Sequence, residues 1–333
     1  MTPGAMPRMA LGLLVLVLAG FWVFWVLLGP RVAHGHPAPI EVTVAPGESA
    51  DAVAAELARS GVVRSRLGFW LLLHVVGGGR RIESGTYLLS PSLTPLEILR
   101  RLTAGRVAVV RIVVPEGFTV RQVAVRLWHR AHIPIAAFLA VARRGVAGIR
   151  RRPGERYALE GYLGPRTYEL PLGASAAAAA RMMVGGFREL FGTRLRQRAH
   201  QLHLSVNQVV TLASIIEHET RIASQRPLVS AVFWNRLKRG MPLDSDATVL
   251  YALGGGAHRL APGQTAVPSP YNTYRIRGLP PGPIDSPGLG SLKAALFPAH
   301  VNYLYFVSTR SGRDIFSRTY AGQLRVEARL GIR

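Results

Sequence analysis

The sequence contains no cysteine among its 333 residues. This absence excludes a disulfide framework, a thiolate nucleophile, a zinc–cysteine site and lipid attachment through cysteine. Lysine is nearly absent as well, since Lys238 and Lys293 are its only two occurrences. Acidic residues are also few, because 18 Asp and Glu stand against 41 Lys and Arg and leave a formal net charge of +23. The positive charge is therefore almost entirely arginine.

Such a charge favours anionic partners, although a general compositional bias toward arginine explains it equally well. Charged residues make up 18% and hydrophobic residues 49% of the chain, which is the composition of a folded protein. The arginines are scattered through amphipathic segments, and the sequence has neither an aromatic-interleaved basic block nor a nucleic-acid-binding motif. We therefore expect no nucleic-acid partner.

The amino-terminal part contains an uncharged apolar run at residues 10–28. At 1.5 Å per residue this run spans about 28 Å, close to the ~30 Å hydrocarbon core of a bilayer. A cleaved signal peptide has a shorter apolar core followed by small residues, whereas this run contains two Phe and two Trp. We predict a cytoplasmic tail at 1–9, a single transmembrane helix at 10–28 and a tether at 29–39, with the remaining chain outside the cytoplasmic membrane.

Residues 40–155 show a weak internal repeat with a period of 70 residues. Each copy has an alternating strand, a turn with Pro and Gly, and a helix that begins after Ser49 in the first copy and Thr119 in the second. Thr119 with Gln122 forms a capping box, in which each residue satisfies a backbone N–H of the other. We predict a small α+β region of strand–turn–helix units, which resembles LysM-like wall-binding modules.

A further helix is predicted to begin at Ser205, which forms a capping box with Gln208, and to end near Glu217-His218-Glu219-Thr220. Two residues apart on a helix, Glu217 and Glu219 point about 160° apart and cannot act as a facing pair. Both flank the apolar stripe at similar angles, so the periodicity leaves open which of them faces a cleft. Either side chain would acquire a raised pKa if it were buried. A metal site is disfavoured because no second histidine lies one turn away.

The loops that follow this helix are rich in Pro and Gly and carry Tyr, Asn and Thr, residue types that suit sugar binding. The chain resembles the membrane-anchored endolytic murein transglycosylase family, which is YceG-like. The resemblance extends over residues 157–307 and rests on these segments in order: Leu159–Leu163 with Pro165, Thr167 and Tyr168; Ala213–Thr220; Asn235–Leu237; Ser269–Tyr274; Gly278–Ile284; Ser291–Ala295; and Tyr303–Val307. It implies an α+β catalytic domain, which we place at 156–333.

The resemblance implies cleavage of the β-1,4 bond between N-acetylmuramic acid (MurNAc) and N-acetylglucosamine (GlcNAc) inside glycan strands, with 1,6-anhydro ends formed without water. It implies Glu219 as the acid/base, with Glu217 as the alternative or in support, and neither metal nor cofactor. It further implies that the enzyme terminates nascent glycan strands and works with peptidoglycan synthases at the cytoplasmic membrane. The implied substrate-binding residues are Glu160, Tyr168, Asp246, Thr248, Tyr271, Asn272 and Tyr274.

Two other functions stay open at this stage. One is a non-catalytic, membrane-anchored scaffold that binds peptidoglycan within the elongation machinery. The other is a muramidase that uses water, which would need a second carboxylate such as Asp244 or Asp246 near Glu219. The chain also departs from the family pattern, since Asp314 stands where a histidine is usual, and a terminal Glu-His pair is missing near Gln323.

Overall fold

The structure is a computed structural model that describes residues 37–76, 82–255, 259–309 and 311–331, together with 13, 17, 18, 20, 25, 29–32 and 35. The predicted tail at 1–9 and most of the predicted transmembrane helix at 10–28 lie outside these residues. None of the helices in the described stretches is both long and apolar enough to cross a membrane.

The described residues form a mixed α+β fold with short sheets, which confirms the predicted fold class at that level. The helices are α1 (Ala50–Arg59), α2 (Arg66–Val75), α3 (Pro95–Thr103), α4 (Val120–Ala131), α5 (Ile135–Arg144), α6 (Ala176–Leu190), α7 (Thr193–Gln201), α8 (Val206–Glu219), α9 (Arg226–Lys238), α10 (Asp246–Ala252), α11 (Leu289–Leu296) and α12 (Tyr320–Leu330). The strands are β1 (Ile40–Val44), β2 (Gly85–Leu89), β3 (Val109–Val113), β4 (Thr167–Pro171), β5 (Tyr305–Ser308) and β6 (Asp314–Ser317), paired as β1 with β2, β3 with β4 and β5 with β6.

The chain divides into two compact units. The first comprises Met1–Val110 and Leu170–Gly173, and the second comprises Arg111–Glu169 and Ala174–Arg333. In the first unit β1 and β2 run antiparallel, with Ile40 opposite Leu89 and Val44 opposite Gly85. Helices α1, α2 and α3 share a buried apolar core with this hairpin. The domain bounds drawn from the sequence stay predictions.

The two predicted strand–turn–helix copies are confirmed. Gly47 and Gly117 both have a positive φ, 77° and 75°, a conformation that glycine adopts without steric cost. In the first copy the Ser49 side chain accepts a hydrogen bond from the Ala52 N–H and begins α1. In the second copy Thr119 forms its capping box with Gln122 and begins α4. Short-range side-chain chemistry therefore fixes where both helices begin.

The second unit is built around α8, whose residues from Asn207 to Ile216 are buried with the exception of Gln208. The predicted capping box of Ser205 with Gln208 begins the helix. Helices α9 and α11 pack against it, and the antiparallel hairpin of β5 and β6 lies against α9. Helix α8 ends at Glu219 because Thr220 has an extended backbone, with φ −144° and ψ 134°. Its last turn, which carries the three ionisable residues, is thus held by a buried helix.

Candidate active site

The three consecutive residues at the end of α8 each contact a different partner. Glu217 pairs with Arg226, His218 with Asp285, and Glu219 with Ser245. This divergence follows from the rotation of about 100° per residue along a helix. The periodicity of the sequence leaves the two glutamates equivalent, and their partners in the fold distinguish them.

Glu217 has both carboxylate oxygens occupied. Arg226 donates through Nη2 to Oε1 at 2.9 Å, and the Gly288 backbone N–H donates to Oε2 at 2.9 Å. The side chains of the ion pair are only 8% and 15% exposed, for Glu217 and Arg226 respectively. Glu217 therefore connects α8 to α9 and to the loop before α11, and its role is structural.

Glu219 has one strong hydrogen bond and a free oxygen. Ser245 donates through Oγ to Glu219 Oε1 at 2.5 Å, and Oε2 accepts no hydrogen bond from the described residues. Burial raises the pKa of Glu219 to about 7, the hydrogen bond from Ser245 opposes the rise, and the charge of Asp246 adds to it. The residue is nevertheless partly exposed. At neutral pH this carboxyl is close to half protonated, so it can both donate and accept a proton.

Ser245 is itself fixed by two buried threonines. Its backbone N–H donates to Thr273 Oγ1 at 3.0 Å, and Thr248 donates through Oγ1 to its carbonyl at 2.7 Å. The two threonine hydroxyls lie 2.9 Å apart and bond to each other. This cluster aims the Ser245 hydroxyl at Glu219.

Asp246 and Tyr274 lie beside this position. Tyr274 donates through its hydroxyl to Asp246 Oδ1 at 2.6 Å, and its side chain remains partly exposed. The charges of Asp246 and Glu219 act on one another, since Asp246 raises the pKa of Glu219. By contrast, Asp244 pairs with Arg236 at 2.8 Å. Of Asp244 and Asp246, it is therefore Asp246 whose charge acts on Glu219.

His218 pairs with the fully buried Asp285, with Nε2 and Oδ2 2.7 Å apart. Burial lowers the pKa of His218, but the hydrogen bond to Asp285 and the charge of Asp285 outweigh it, and the net change is upward. Burial raises the pKa of Asp285 to about 6. The positive charge of His218 lowers the pKa of its neighbour Glu219 and partly offsets the effect of burial.

The other predicted substrate-binding side chains are buried and have partners within the protein. Glu160 accepts from the Val120 N–H at 2.8 Å and the Tyr251 hydroxyl at 2.9 Å, and burial raises its pKa to about 8. The remaining contacts are Tyr168 hydroxyl to Gly164 carbonyl, Asn272 amide to the carbonyls of Thr265 and Val267, Tyr271 ring against Tyr251 ring, and Thr248 as described above. A direct contact of these five residues with a ligand stays a prediction.

Sequence reasoning assigned no role to Ser245, Asp285 or Asp314. Asp314 is buried; its Oδ1 accepts from Ser308 Oγ at 2.6 Å, and its Oδ2 has no hydrogen-bond partner among the described residues. The Gln225 side chain holds the Asp314 backbone by bonding to both its N–H and its carbonyl, at 3.1 and 2.8 Å. The charge of Asp314 raises the pKa of Glu219. No short-range pattern links residues so far apart in sequence, so only the departure from the family pattern singled out Asp314.

The described residues contain no group of three or more His, Asp or Glu side chains arranged to hold a metal ion. The expectation that the chemistry needs neither metal nor cofactor stays a prediction.

The Ser245→Ala variant is expected to raise the pKa of Glu219 further. The Ser245 hydrogen bond favours the ionised carboxylate, and a bond to a charged group contributes about 1.5–3 kcal/mol, so its loss should move the pKa upward by about one to two units. The carbon-13 shift of the Glu219 carboxyl, followed against pH, measures this change. A midpoint that stays in place or falls would show that Ser245 does not stabilise the carboxylate.

The Asp314→Asn variant is expected to move the same midpoint in the opposite direction. The charge of Asp314 raises the pKa of Glu219, so removing that charge makes ionisation of Glu219 easier. The replacement keeps the size of the side chain and can still accept from Ser308. The same carbon-13 titration measures the shift, and an upward shift would contradict the electrostatic coupling.

The chain is similar to known proteins over most of its length. The model of the YceG-like family matches residues 42–329. The endolytic murein transglycosylase of Bacillus subtilis is 28% identical over 322 residues, which cover 91% of this chain and 88% of that protein. The Streptococcus pneumoniae protein of the same name is 27% identical over 302 residues, and the match covers 81% of this chain but 54% of that protein. A crystal structure of a YceG-like protein from Listeria monocytogenes is 30% identical, with a TM-score of 0.62, and covers 88% of this chain and 100% of that one.

Proposed function

Because this chain belongs to the YceG-like family, we propose that it is an endolytic lytic transglycosylase that acts on peptidoglycan. The bond cleaved is the β-1,4 linkage between MurNAc and GlcNAc inside a glycan strand. The observation that carries the proposal is the Glu219 carboxyl, which has a pKa of about 7, a hydrogen bond from Ser245 and one free oxygen. The relatives named endolytic murein transglycosylase support the substrate class.

The reaction needs one carboxyl that first gives and then takes a proton. Protonated Glu219 donates its proton to the glycosidic oxygen, and the bond from that oxygen to the anomeric carbon of MurNAc breaks. The MurNAc 6-hydroxyl oxygen bonds to the same carbon, and its proton passes to the Glu219 carboxylate. The products are a free GlcNAc hydroxyl and a 1,6-anhydro-MurNAc end, and the enzyme returns to its starting protonation state. A pKa near the working pH suits both steps.

The surrounding residues support this cycle. Ser245 orients the carboxyl and stabilises its ionised form after the first proton transfer. Asp246 and Tyr274, which are hydrogen-bonded to each other, form a polar wall next to Glu219. The negative charge of Asp246 stabilises the cationic character that develops on the sugar ring. Glu217, held by Arg226 and Gly288, fixes the end of α8 and supports catalysis without contacting the reacting atoms.

A hydrolase is the second candidate, because Asp246 is a carboxylate in the surroundings of Glu219. In that case the second carboxylate would activate a water molecule, and the oxygen of this water would bond to the anomeric carbon. The two reactions leave different ends. The transglycosylase transfers no solvent oxygen, whereas the hydrolase transfers one.

The test is digestion of purified peptidoglycan by the full chain in water enriched in oxygen-18, followed by mass spectrometry of the glycan ends. We expect new 1,6-anhydro-MurNAc ends without oxygen-18, and none with the Glu219→Gln variant. Reducing ends that carry oxygen-18 would overturn the proposal in favour of a hydrolase. If the folded chain bound glycan but produced no new ends, the result would favour the non-catalytic scaffold function.

We also propose the cellular setting that the sequence suggests. The apolar run at 10–28 anchors the chain in the cytoplasmic membrane, and the bulk of the protein lies on its outer side. The strand–turn–helix segments of 40–155 act as LysM-like contacts to the wall. Acting there on nascent strands, the enzyme would terminate glycan elongation beside a peptidoglycan synthase. Cell fractionation with protease accessibility of the carboxyl-terminal part tests the anchor and the orientation.

A further inference from the structure

The exposed face of α4 lines a cavity of about 800 Å³ in the second unit. The arginine groove, as we name this cavity, is lined by Arg111, Arg121, Arg126, His129 and Arg130, with an opposite wall at Gly254 and Gly255. Neither aspartate nor glutamate is among its lining residues in the described part of the chain. Arg111 pairs with Glu169, which lies outside the lining, with Nη2 and Oε1 3.4 Å apart, and the other arginines of the groove have no acidic partner among the described residues. A concave surface with an excess of positive charge attracts an anionic ligand.

The arginines of the groove differ in their contacts within the protein. This difference is not explained by the high arginine content of the sequence alone. Arg126 is fixed, since it donates through Nη1 to the Val113 carbonyl at 2.8 Å and lies 4.6 Å from the centre of the Phe118 ring. Arg121 and Arg130 are exposed and form neither a hydrogen bond nor an ion pair with any described residue. Two guanidinium groups are therefore free to bind carboxylates, which they match in bidentate geometry.

The dimensions of the groove fit a short extended peptide. Arg121 and Arg130 are nine residues apart on α4, which places them about 14 Å apart along the helix axis and at opposite edges of its exposed face, since nine residues turn a helix through about 180°. A peptide that contacts both therefore crosses the helix obliquely. Four residues of an extended peptide span about 13–14 Å. The exposed side chains of Val113 and Val125 also line the groove and give it apolar positions, which suit small apolar side chains such as alanine.

The groove is joined to the surroundings of Glu219 through the backbone. The Ser286 N–H donates to the Phe118 carbonyl, and the Gly117 N–H donates to the Ser286 carbonyl, both at 2.9 Å. Ser286 follows Asp285, the partner of His218 in the last turn of α8. At the opposite wall, α10 begins at Asp246 and extends for about 10 Å to the turn at Gly254.

We infer that the arginine groove binds the carboxylate-bearing stem peptide of a MurNAc residue in the glycan strand that Glu219 cleaves. The stem peptide is a short chain of small residues with free carboxylates, attached to the sugar beside the scissile bond. When a glycan strand lies across Glu219, its stem peptide extends away from the scissile bond. The distance it must cover to the groove is comparable with the length of α10, about 10 Å. The inference rests on the proposed function for the identity of the glycan.

The test compares two glycan ligands on the full chain purified in mild detergent, with Glu219→Gln in every protein so that the ligand stays intact. One ligand is a soluble glycan chain with its stem peptides, and the other is the same chain with the peptides removed. The Arg121→Gln/Arg130→Gln variant is expected to weaken the Kd for the peptide-bearing chain about tenfold and to leave the Kd for the peptide-free chain unchanged. Arg121→Lys/Arg130→Lys should restore part of the affinity, because the charge returns without the planar fork.

The matched control is Arg181→Gln/Arg194→Gln, which removes the same charge from exposed positions away from the groove and should change neither Kd. Equal weakening for both ligands, or by the control, would overturn the inference. It would also be overturned if the groove variant lost only its binding to vesicles of acidic phospholipid, since the occupant would then be a membrane. Failure of the parent chain to cut glycan would contradict the proposed activity, while the comparison of Kd values would still decide the role of the groove.

Discussion

The Glu219→Gln variant is expected to lower kcat for glycan cleavage by about 10²–10⁴-fold, the contribution of a positioned acid/base. The amide keeps the shape of the side chain and can still accept from Ser245, but it cannot give a proton to the glycosidic oxygen. KM should change little, because the substrate contacts remain. The release of 1,6-anhydro-MurNAc ends over time, measured at pH 7, gives both constants.

Loss of activity through unfolding is separable from loss of the proton donor. Burial raises the pKa of Glu219 from 4.5 to about 7 in the folded chain. Between these values the unfolded chain binds fewer protons at this residue, so the folded chain loses stability as the pH rises through that window. Glutamine does not titrate, and Glu219→Gln is expected to have a Tm at pH 8 at least equal to that of the wild type. An inactive variant with a lower Tm, or a variant with full activity, would contradict the assignment.

The Arg226→Met variant is expected to lower the Tm by about 6–20 °C. It leaves the carboxylate of Glu217 buried without its cation, and breaking a buried ion pair by removing one partner costs about 3–5 kcal/mol. In a unit of this size each kcal/mol shifts the Tm by about 2–4 °C. Calorimetry at pH 7 measures the change.

The double variant Glu217→Met/Arg226→Met is the control for this ion pair. It removes both charges, so no unpaired charge remains buried, and it should recover much of the lost Tm. The Gly288 N–H then loses its acceptor, which makes full recovery unexpected. If the double variant were less stable than Arg226→Met by the cost of a second independent change, the pair would not be coupled.

Features that depend on neighbours in the sequence were predictable. The capping boxes at Thr119 and Ser205 place the first turns of α4 and α8, since each bond in them joins residues three apart. Helix α6 (Ala176–Leu190) begins in the same way, because the Ser175 side chain accepts a hydrogen bond from the Ala178 N–H three residues on. These bonds form within a single turn of chain, so the residues themselves determine them.

The environment of the glutamates was not predictable in this way. On the helical wheel Glu217 and Glu219 are equivalent, and each acquires its character from residues distant in sequence: Gly288 lies 71 positions after Glu217, and Ser245 lies 26 positions after Glu219. Ionised Glu217 has its cation in Arg226, whereas Glu219 is buried beside Asp246 and has no ion-pair partner.

The sequence by itself thus determined the α+β elements, the starts of the helices and, through resemblance, the family and the two candidate carboxylates. The tertiary structure alone decided which carboxyl has a pKa near neutrality and which residues form its surroundings. The reason is physical: local hydrogen bonds fix a helix, but the pKa of a carboxyl depends on burial and on charges that only the folded chain brings together.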